Sequence, residues 1–337
     1  MSETTLRDRL AKFGGYFQPF DWHHAACSVP GIAACLVYGV VTRDTVTAAV
    51  AAGSAFSVGF GLRRARQTRS LIGAVVLMML ATLLGSMTGG NPLIFLPLAA
   101  VAAAACSCLA LVDDDIWWVV LQATIALIVS GHYGGGFPEA MHRAGIVALA
   151  GGIQALCVLG LDRVIPKSQP RPVVNTPIPA TRRALLTYGA VAALSVTAAA
   201  LAAYGLHLDK AYWAPMTALI VLKPKFHLTR QRGVERLAGN IVGCAAATAI
   251  AVCLPPTAWF DSLLCILSAG AAYALLKARY AAFSLAVSFT AVMLLFTAHG
   301  SAIQGAEQRL YATVLGGAIS IAVMWLASMT VARDYRI

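Results

Sequence analysis

Charge is scarce in this sequence. Asp, Glu, Lys and Arg make up 12% of the 337 residues and only 14 residues are acidic, while hydrophobic residues reach 59%. With a mean hydropathy of +0.75, this composition excludes both a soluble globular domain and a disordered chain, and it points to an integral membrane protein. Catalytic motifs are missing too: there is no nucleophile elbow, no zinc-protease helix and no phosphate-cradling loop, and Gly134-Gly135-Gly136 lacks the lysine and helix context of one. The eight cysteines, Cys27, Cys35, Cys106, Cys108, Cys157, Cys244, Cys253 and Cys265, lie in or beside apolar runs with no C-x-x-C spacing. They read as small buried hydrophobes, with no disulfide, metal or cofactor expected. The seven histidines are scattered and suggest no metal site. An enzyme is not expected.

What the sequence has is length without charge. Apolar runs recur at 25–41, 45–62, 71–87, 93–112, 116–131, 144–161, 184–205, 212–222, 233–254, 259–276, 281–298 and 310–330. Most approach the roughly 20 residues that a helix needs to cross about 30 Å of hydrocarbon, so about twelve transmembrane helices are predicted. Residues 1–22 carry Leu6, Leu10, Phe13 and Phe17 at helical spacing with Arg7, Arg9 and Lys12 between them. They predict an amphipathic interfacial helix, and no small-residue cleavage site follows an apolar stretch as in a signal peptide.

The net charge of +11 is explained by placement. With the N-terminus in the cytoplasm, 21 of the 25 Lys and Arg fall on the inner side, and only Arg43, Arg143, Lys210 and Arg309 fall outside. This positive-inside bias puts both termini in the cytoplasm of a bacterial inner-membrane protein whose basic face meets anionic lipid head groups, and it removes the need for nucleic acid.

Sliding the chain by 166 residues aligns it with itself without a gap: Tyr38-Gly39 on Tyr204-Gly205, Arg64 on Arg230, Arg66 on Arg232, Gly73 on Gly239, Arg143 on Arg309 and Gly151 on Gly317. Six helices per copy is an even number. The predicted fold is therefore all-α, with two parallel six-helix repeats, residues 23–165 and 184–331, about a pseudo-twofold axis along the membrane normal. A proline-rich cytoplasmic linker, 166–183, joins them, and residues 332–337 form a cytoplasmic tail. Asp113-Asp114-Asp115 aligns with Arg279 of the other copy, so an ion pair between the copies is expected there.

The copies differ at the eighth run. It extends only from Tyr212 to Leu222, about 16 Å of helix, before Lys223-Pro224-Lys225 interrupts it. Pro224 predicts a break, and Pro215 loosens the other end. A lysine this deep in a membrane faces protein or water rather than lipid. Broken helices leave unpaired backbone groups beside transporter substrate sites, and a buried ammonium there suits an anion. Tyr212, Trp213 and Thr217 offer an aromatic surface and a hydroxyl on the same segment. The alternative is that Lys223 and Lys225 snorkel to head groups and Trp213 is an interfacial residue.

The pattern Tyr212-Trp213-x-Pro215-x-Thr217, Val221-Leu222-Lys223-Pro224, then Thr229-x-x-Arg232-x-x-x-Arg236-x-x-Gly239-x-x-x-Gly243 resembles the signature of the fusaric acid resistance and aromatic acid exporter family of bacterial inner-membrane proteins. More distantly the chain is similar to plant anion channels activated by aluminium, dimers of six-helix subunits around a twofold pore. The resemblance implies proton-coupled efflux of small organic acids; the residues at the break, Tyr212, Trp213, Thr217, Lys223 and Lys225 together with Arg232, are expected to bind an aromatic carboxylate, and a periplasmic adaptor protein is a candidate partner. Three departures stand out. Lys225 replaces an acidic residue common in the family and Asn240 a threonine, and the short linker has no room for the cytoplasmic domain of larger members, so this is a short form.

Proton coupling needs a titratable group on the pathway. The outer-side candidates are Glu139, Glu307 and His299, with Arg143 and Arg309 as a symmetric anion-attracting ring at the outer mouth. The plainer expectation for Glu139 with Arg143 and Glu307 with Arg309 is interfacial pairing at helix ends. A passive organic-anion channel and a non-transporting membrane scaffold remain as alternatives to the exporter. Gly239, Gly243, Gly151-Gly152 and Gly316-Gly317 are expected to let helices approach closely.

Overall fold

The computed structural model describes residues 14–166, 181–253, 257–299 and 302–330. Most of the expected interfacial helix, the linker and the tail therefore fall outside the described residues. Among the described residues every apolar run has become a helix. In chain order they are α1 (Trp22–Thr42), α2 (Thr45–Gly59), α3 (Gln67–Thr88), α4 (Pro92–Leu109), α5 (Asp114–Tyr133), α6 (Phe137–Val164), α7 (Arg182–Gly205), α8 (Trp213–Val221), α9 (Phe226–Cys253), α10 (Ala258–Ala274), α11 (Tyr280–His299) and α12 (Ala302–Thr330). Ten helices are long and apolar enough to cross a membrane, as in a multi-pass membrane protein, α2 being counted with the helical turn that carries it on to Leu62. The 9-residue α8 and the 17-residue α10 fall short of that length.

Short polar residues set the helix starts. Asp21 accepts from His24 N at 3.1 Å, Asp44 from Thr47 N at 3.1 Å and Asn91 from Leu93 N at 3.0 Å, each satisfying an amide that the first turn leaves free. Thr181 and Thr257 cap α7 and α10 in the same way. Between α1 and α2 only Arg43 and Asp44 intervene, and Arg43 takes a left-handed conformation with φ of 61° to close the turn.

Helix bounds recur at the spacing seen in the sequence. Adding 166 to α4, α5 and α6 gives 258–275, 280–299 and 303–330, against the observed Ala258–Ala274, Tyr280–His299 and Ala302–Thr330. Packing recurs with them: α3 packs on α5 and α6 as α9 packs on α11 and α12, and α2 packs on α6 as α8 packs on α12. The fourth helix of each stretch crosses over, α4 against α7 and α10 against α1. The close approach of α9 and α11 depends on Gly239 and Gly243, whose missing side chains leave room for the backbone of Ala281 and Leu285. Gly151 and Gly316 also face neighbouring helices, whereas Gly152 and Gly317 face open space.

Two ends of the bundle are distinguished by what gathers there. At the basic end, Asp21 N donates to Ala274 O at 2.9 Å and the turn after α2 meets the start of α5. At the opposite end the end of α5 meets the start of α8, where the His132 ring lies 5.1 Å from that of Tyr212.

The expected pairing of the aspartates with the other copy is not what forms. Asp113 caps α5, accepting from Asp115 N and Ile116 N, and pairs with Arg66 at 3.0 Å. Asp114 pairs with Arg64 at 2.5 Å, and Asp115 accepts from Ala65 N and Arg66 N at 3.2 and 2.7 Å. All three partners lie in the same half, because the turn after α2 descends directly onto the N-terminus of α5. Burial lowers the Arg64 guanidinium from its ordinary value, and the charges of Asp114 and Asp115 oppose that shift. Asp115→Ala orphans two amides at this turn, so a loss of about 1–3 kcal/mol is expected as a lowered thermal-unfolding midpoint in detergent.

Candidate anion-binding site

The break after α8 is real, and its backbone is spoken for. Leu222 turns extended, with ψ of 131°, and Thr229 then ties the loop: its hydroxyl accepts from Lys223 N and donates to Lys223 O, both at 2.9 Å. Arg232 Nε donates to Ile220 O at 3.2 Å, Tyr188 OH to Leu222 O at 3.3 Å and Ser320 Oγ to Ala218 O at 3.0 Å. The unpaired carbonyls expected near a substrate site are thus satisfied by side chains. Pro215 sits in the first turn of α8, where its missing N–H forfeits no helical bond, so it does not loosen that end.

What the break leaves open is charge. Lys223 is half-buried, its Nζ 5.3 Å from the centroid of the Trp117 ring. Lys225 is half-buried beside it. One turn into α9, the Arg232 guanidinium lies over the Tyr280 ring at 3.8 Å. One turn further Arg236 donates to Tyr280 OH at 3.1 Å, and Ser284 Oγ donates to Arg236 O at 3.2 Å. From the other direction Arg309, on α12, stacks over the Trp213 ring at 4.0 Å and lies within electrostatic reach of Arg236.

Arg236 and Arg309 are 3% and 1% exposed, and among the described residues no carboxylate pairs with either or with Arg232. Arg309 Nε and Nη1, Arg236 Nε, Trp213 Nε1 and Thr217 Oγ1 are all buried with no hydrogen-bond partner. Burying a guanidinium without a counter-charge is costly by several kcal/mol, and the unused donors and positive charge suit an anion with acceptor oxygens. A further polar cluster lies one turn along α9: Asn240 donates to Thr313, and Ser288 donates to Asn240.

These side chains belong to a chain of cations and rings that runs from end to end of the bundle. From the basic end it passes Arg64, Trp117, Lys223, Arg232, Tyr280, Arg236, Arg309, Trp213 and Tyr212. It ends at Tyr133, 6.1 Å from Tyr212, with Lys210 Nζ 5.6 Å from the Tyr133 centroid.

Of the residues singled out in the sequence, Tyr212, Trp213, Thr217, Lys223, Lys225 and Arg232 gather around α8 and the break. Tyr212 and Trp213 are not a bare platform: they stack on each other at 4.9 Å, and Trp213 also carries Arg309. The outer group does not assemble. Arg309 is interior, whereas Arg143 is half-buried and donates to Gly134 O and, at 3.4 Å, to Ser86 Oγ. Glu139 and Glu307 are exposed, and among the described residues neither forms an ion pair with its neighbouring arginine. The side chain of His299 lies outside the described residues. Arg236 and Asn240, named in the motif but not assigned to the site, join it here together with Tyr280, Ser284, Ser288 and Thr313, which the sequence did not single out. The available signal was the spacing of Arg232, Arg236 and Asn240, one turn apart on α9, next to Gly239 and Gly243.

Residues 197–323 match the family model described as fusaric acid resistance protein-like. The match covers less than half of the chain, spans the break and the interior arginines, and supports the resemblance seen in the sequence. No curated protein and no solved structure matches.

Proposed function

We propose that this protein is an inner-membrane transporter that exports small organic carboxylate anions, aromatic ones above all, coupled to the proton gradient. The observation that carries this reading is the pair of buried, carboxylate-free arginines, Arg236 and Arg309, with their unpartnered N–H groups. Comparison of the halves strengthens it. Arg66 is the register mate of Arg232 and is neutralised by Asp113, while Asp114 on Arg64 has Tyr280 at its register position. One half supplies its own carboxylates, and the other is left to receive one. We read the whole as two parallel six-helix repeats about a pseudo-twofold axis along the membrane normal, with the basic end cytoplasmic. The recurring helix bounds and the exchanged packing of α4 and α10 support that arrangement.

A passive anion channel is the second reading, favoured by the lack, among the described residues, of an acidic partner for these arginines that would carry a proton. Reconstituted protein separates the two. A labelled hydroxybenzoate accumulates against its gradient under an imposed pH difference if the protein is a coupled carrier, and merely equilibrates if it is a channel. Lys223→Met is expected to reduce either flux by about fivefold or more, through loss of a half-buried cation on the path. Unaltered flux in that variant would leave Lys223 as a head-group residue.

A further inference from the structure

We propose that Arg64, Trp117 and Lys223 form a loading site for carboxylate anions at the basic end, occupied in the structure by the chain's own Asp114. The inference rests on the anion-transport reading above and adds a place of first contact, in the other half of the chain.

The geometry shows which partner is fixed and which is exchangeable. The Arg64 side chain is 12% exposed, whereas that of Asp114 is 77% exposed. Arg64 is held by Trp118, whose ring centroid lies 5.3 Å from its Cζ, and by Trp117 at 5.9 Å. Its Nη1 donates to the carboxylate of Asp114 at 2.5 Å and to the Asp114 carbonyl at 3.1 Å, and its Nε is buried without a partner. A carboxylate is therefore already seated on this guanidinium, and a donor is left over. Asp113 and Asp115 are anchored by backbone amides. Asp114 has only its pair with Arg64 and is itself solvent-exposed, so of the three acids it is the one that a dissolved carboxylate displaces at least cost.

Displacement leads inward. Trp117 lies between the two halves, packed against both of the large hydrophobic clusters. Lys223 stands at its ring from the other half and is within electrostatic reach of both Asp114 and Arg232. An anion that leaves Arg64 for Lys223 has Arg232 as its next cation, where Tyr280 replaces the tethered acid. Asp114 then returns to Arg64 behind it. In this scheme Asp114 competes with the substrate at the mouth and sets the concentration at which the mouth fills.

Membrane vesicles of defined orientation test this with labelled 4-hydroxybenzoate presented to one face at a time. Asp114→Asn removes the competitor and is expected to lower the half-saturating concentration about two- to fivefold at the basic face only, the range expected for a pair with one solvent-exposed partner. Arg64→Gln is expected to raise it at that face, and Trp117→Phe to leave it closer to wild type than Trp117→Leu does. An Asp114→Asn value unchanged at both faces, or shifted equally at both, overturns the loading site while leaving the interior site intact, provided that flux still responds to Arg309→Gln. Wild-type protein without saturable, Arg309-dependent flux overturns both readings.

Discussion

Arg309→Gln is expected to cut anion flux at low substrate concentration by about 10- to 100-fold, since hydrogen bonds to a charged group are each worth about 1.5–3 kcal/mol. The substitution removes one of two buried guanidinium groups that have no carboxylate partner among the described residues. Its effect on stability should run the other way. The unpaired guanidinium is already desolvated at a loss, offset by its contact with Trp213 at 4.0 Å, so the unfolding midpoint of the empty protein is not expected to fall. A structural arginine would show the opposite result: a lower midpoint together with flux that scales with the folded fraction. Added substrate supplies a further check. It should stabilise wild type in a concentration-dependent way and leave Arg309→Gln unmoved, because only a ligand bound to the folded state shifts the midpoint.

The other large effect concerns assembly. Gly239→Leu is expected to destabilise the bundle by about 3 kcal/mol or more, beyond ordinary overpacking, because what it meets is backbone that has no rotamer to yield. A Cβ at residue 239 would lie 2.5 Å from Ala281 O and 2.8 Å from Leu285 N. The helix bearing Arg232 and Arg236 would be forced off the helix bearing Tyr280. Loss of the monodisperse species in detergent chromatography is the readout. Gly317→Ala, which faces open space on α12, is the matched control and should behave as wild type. If Gly239→Leu does the same, the close packing of α9 on α11 is wrong.

The twelve apolar runs were legible because lipid constrains length and hydropathy together, and the break was legible because Pro224 and two lysines end α8 abruptly. The start of α9 was not. Arg230 and Arg232 lie before the run that hydropathy starts at residue 233, and Arg236 counts with them as an inner-side cation, yet the helix begins at Phe226 and turns Arg236 inward. Arg309 was displaced for the same reason. Hydropathy starts the last run at residue 310, whereas α12 extends back to Ala302 and carries the guanidinium into the interior. A charge-averse scale trims a helix where its interior charges sit, and those are the ones on which the proposed site depends. The local pairing of Asp113–Asp115 was hidden for a different reason, since register between copies says nothing about which turn lies nearest.

The uncompensated arginines also bear on how such a protein would respond to membrane voltage. An empty site holding Arg236 and Arg309 carries net positive charge through the interior, while a site loaded with a carboxylate carries less. Each elementary charge moved across the full field is worth about 2.3 kcal/mol per 100 mV. In the proposed carrier the membrane potential would therefore act more strongly on the stroke that resets the empty protein than on the stroke that carries cargo, and turnover would be electrogenic through its return half.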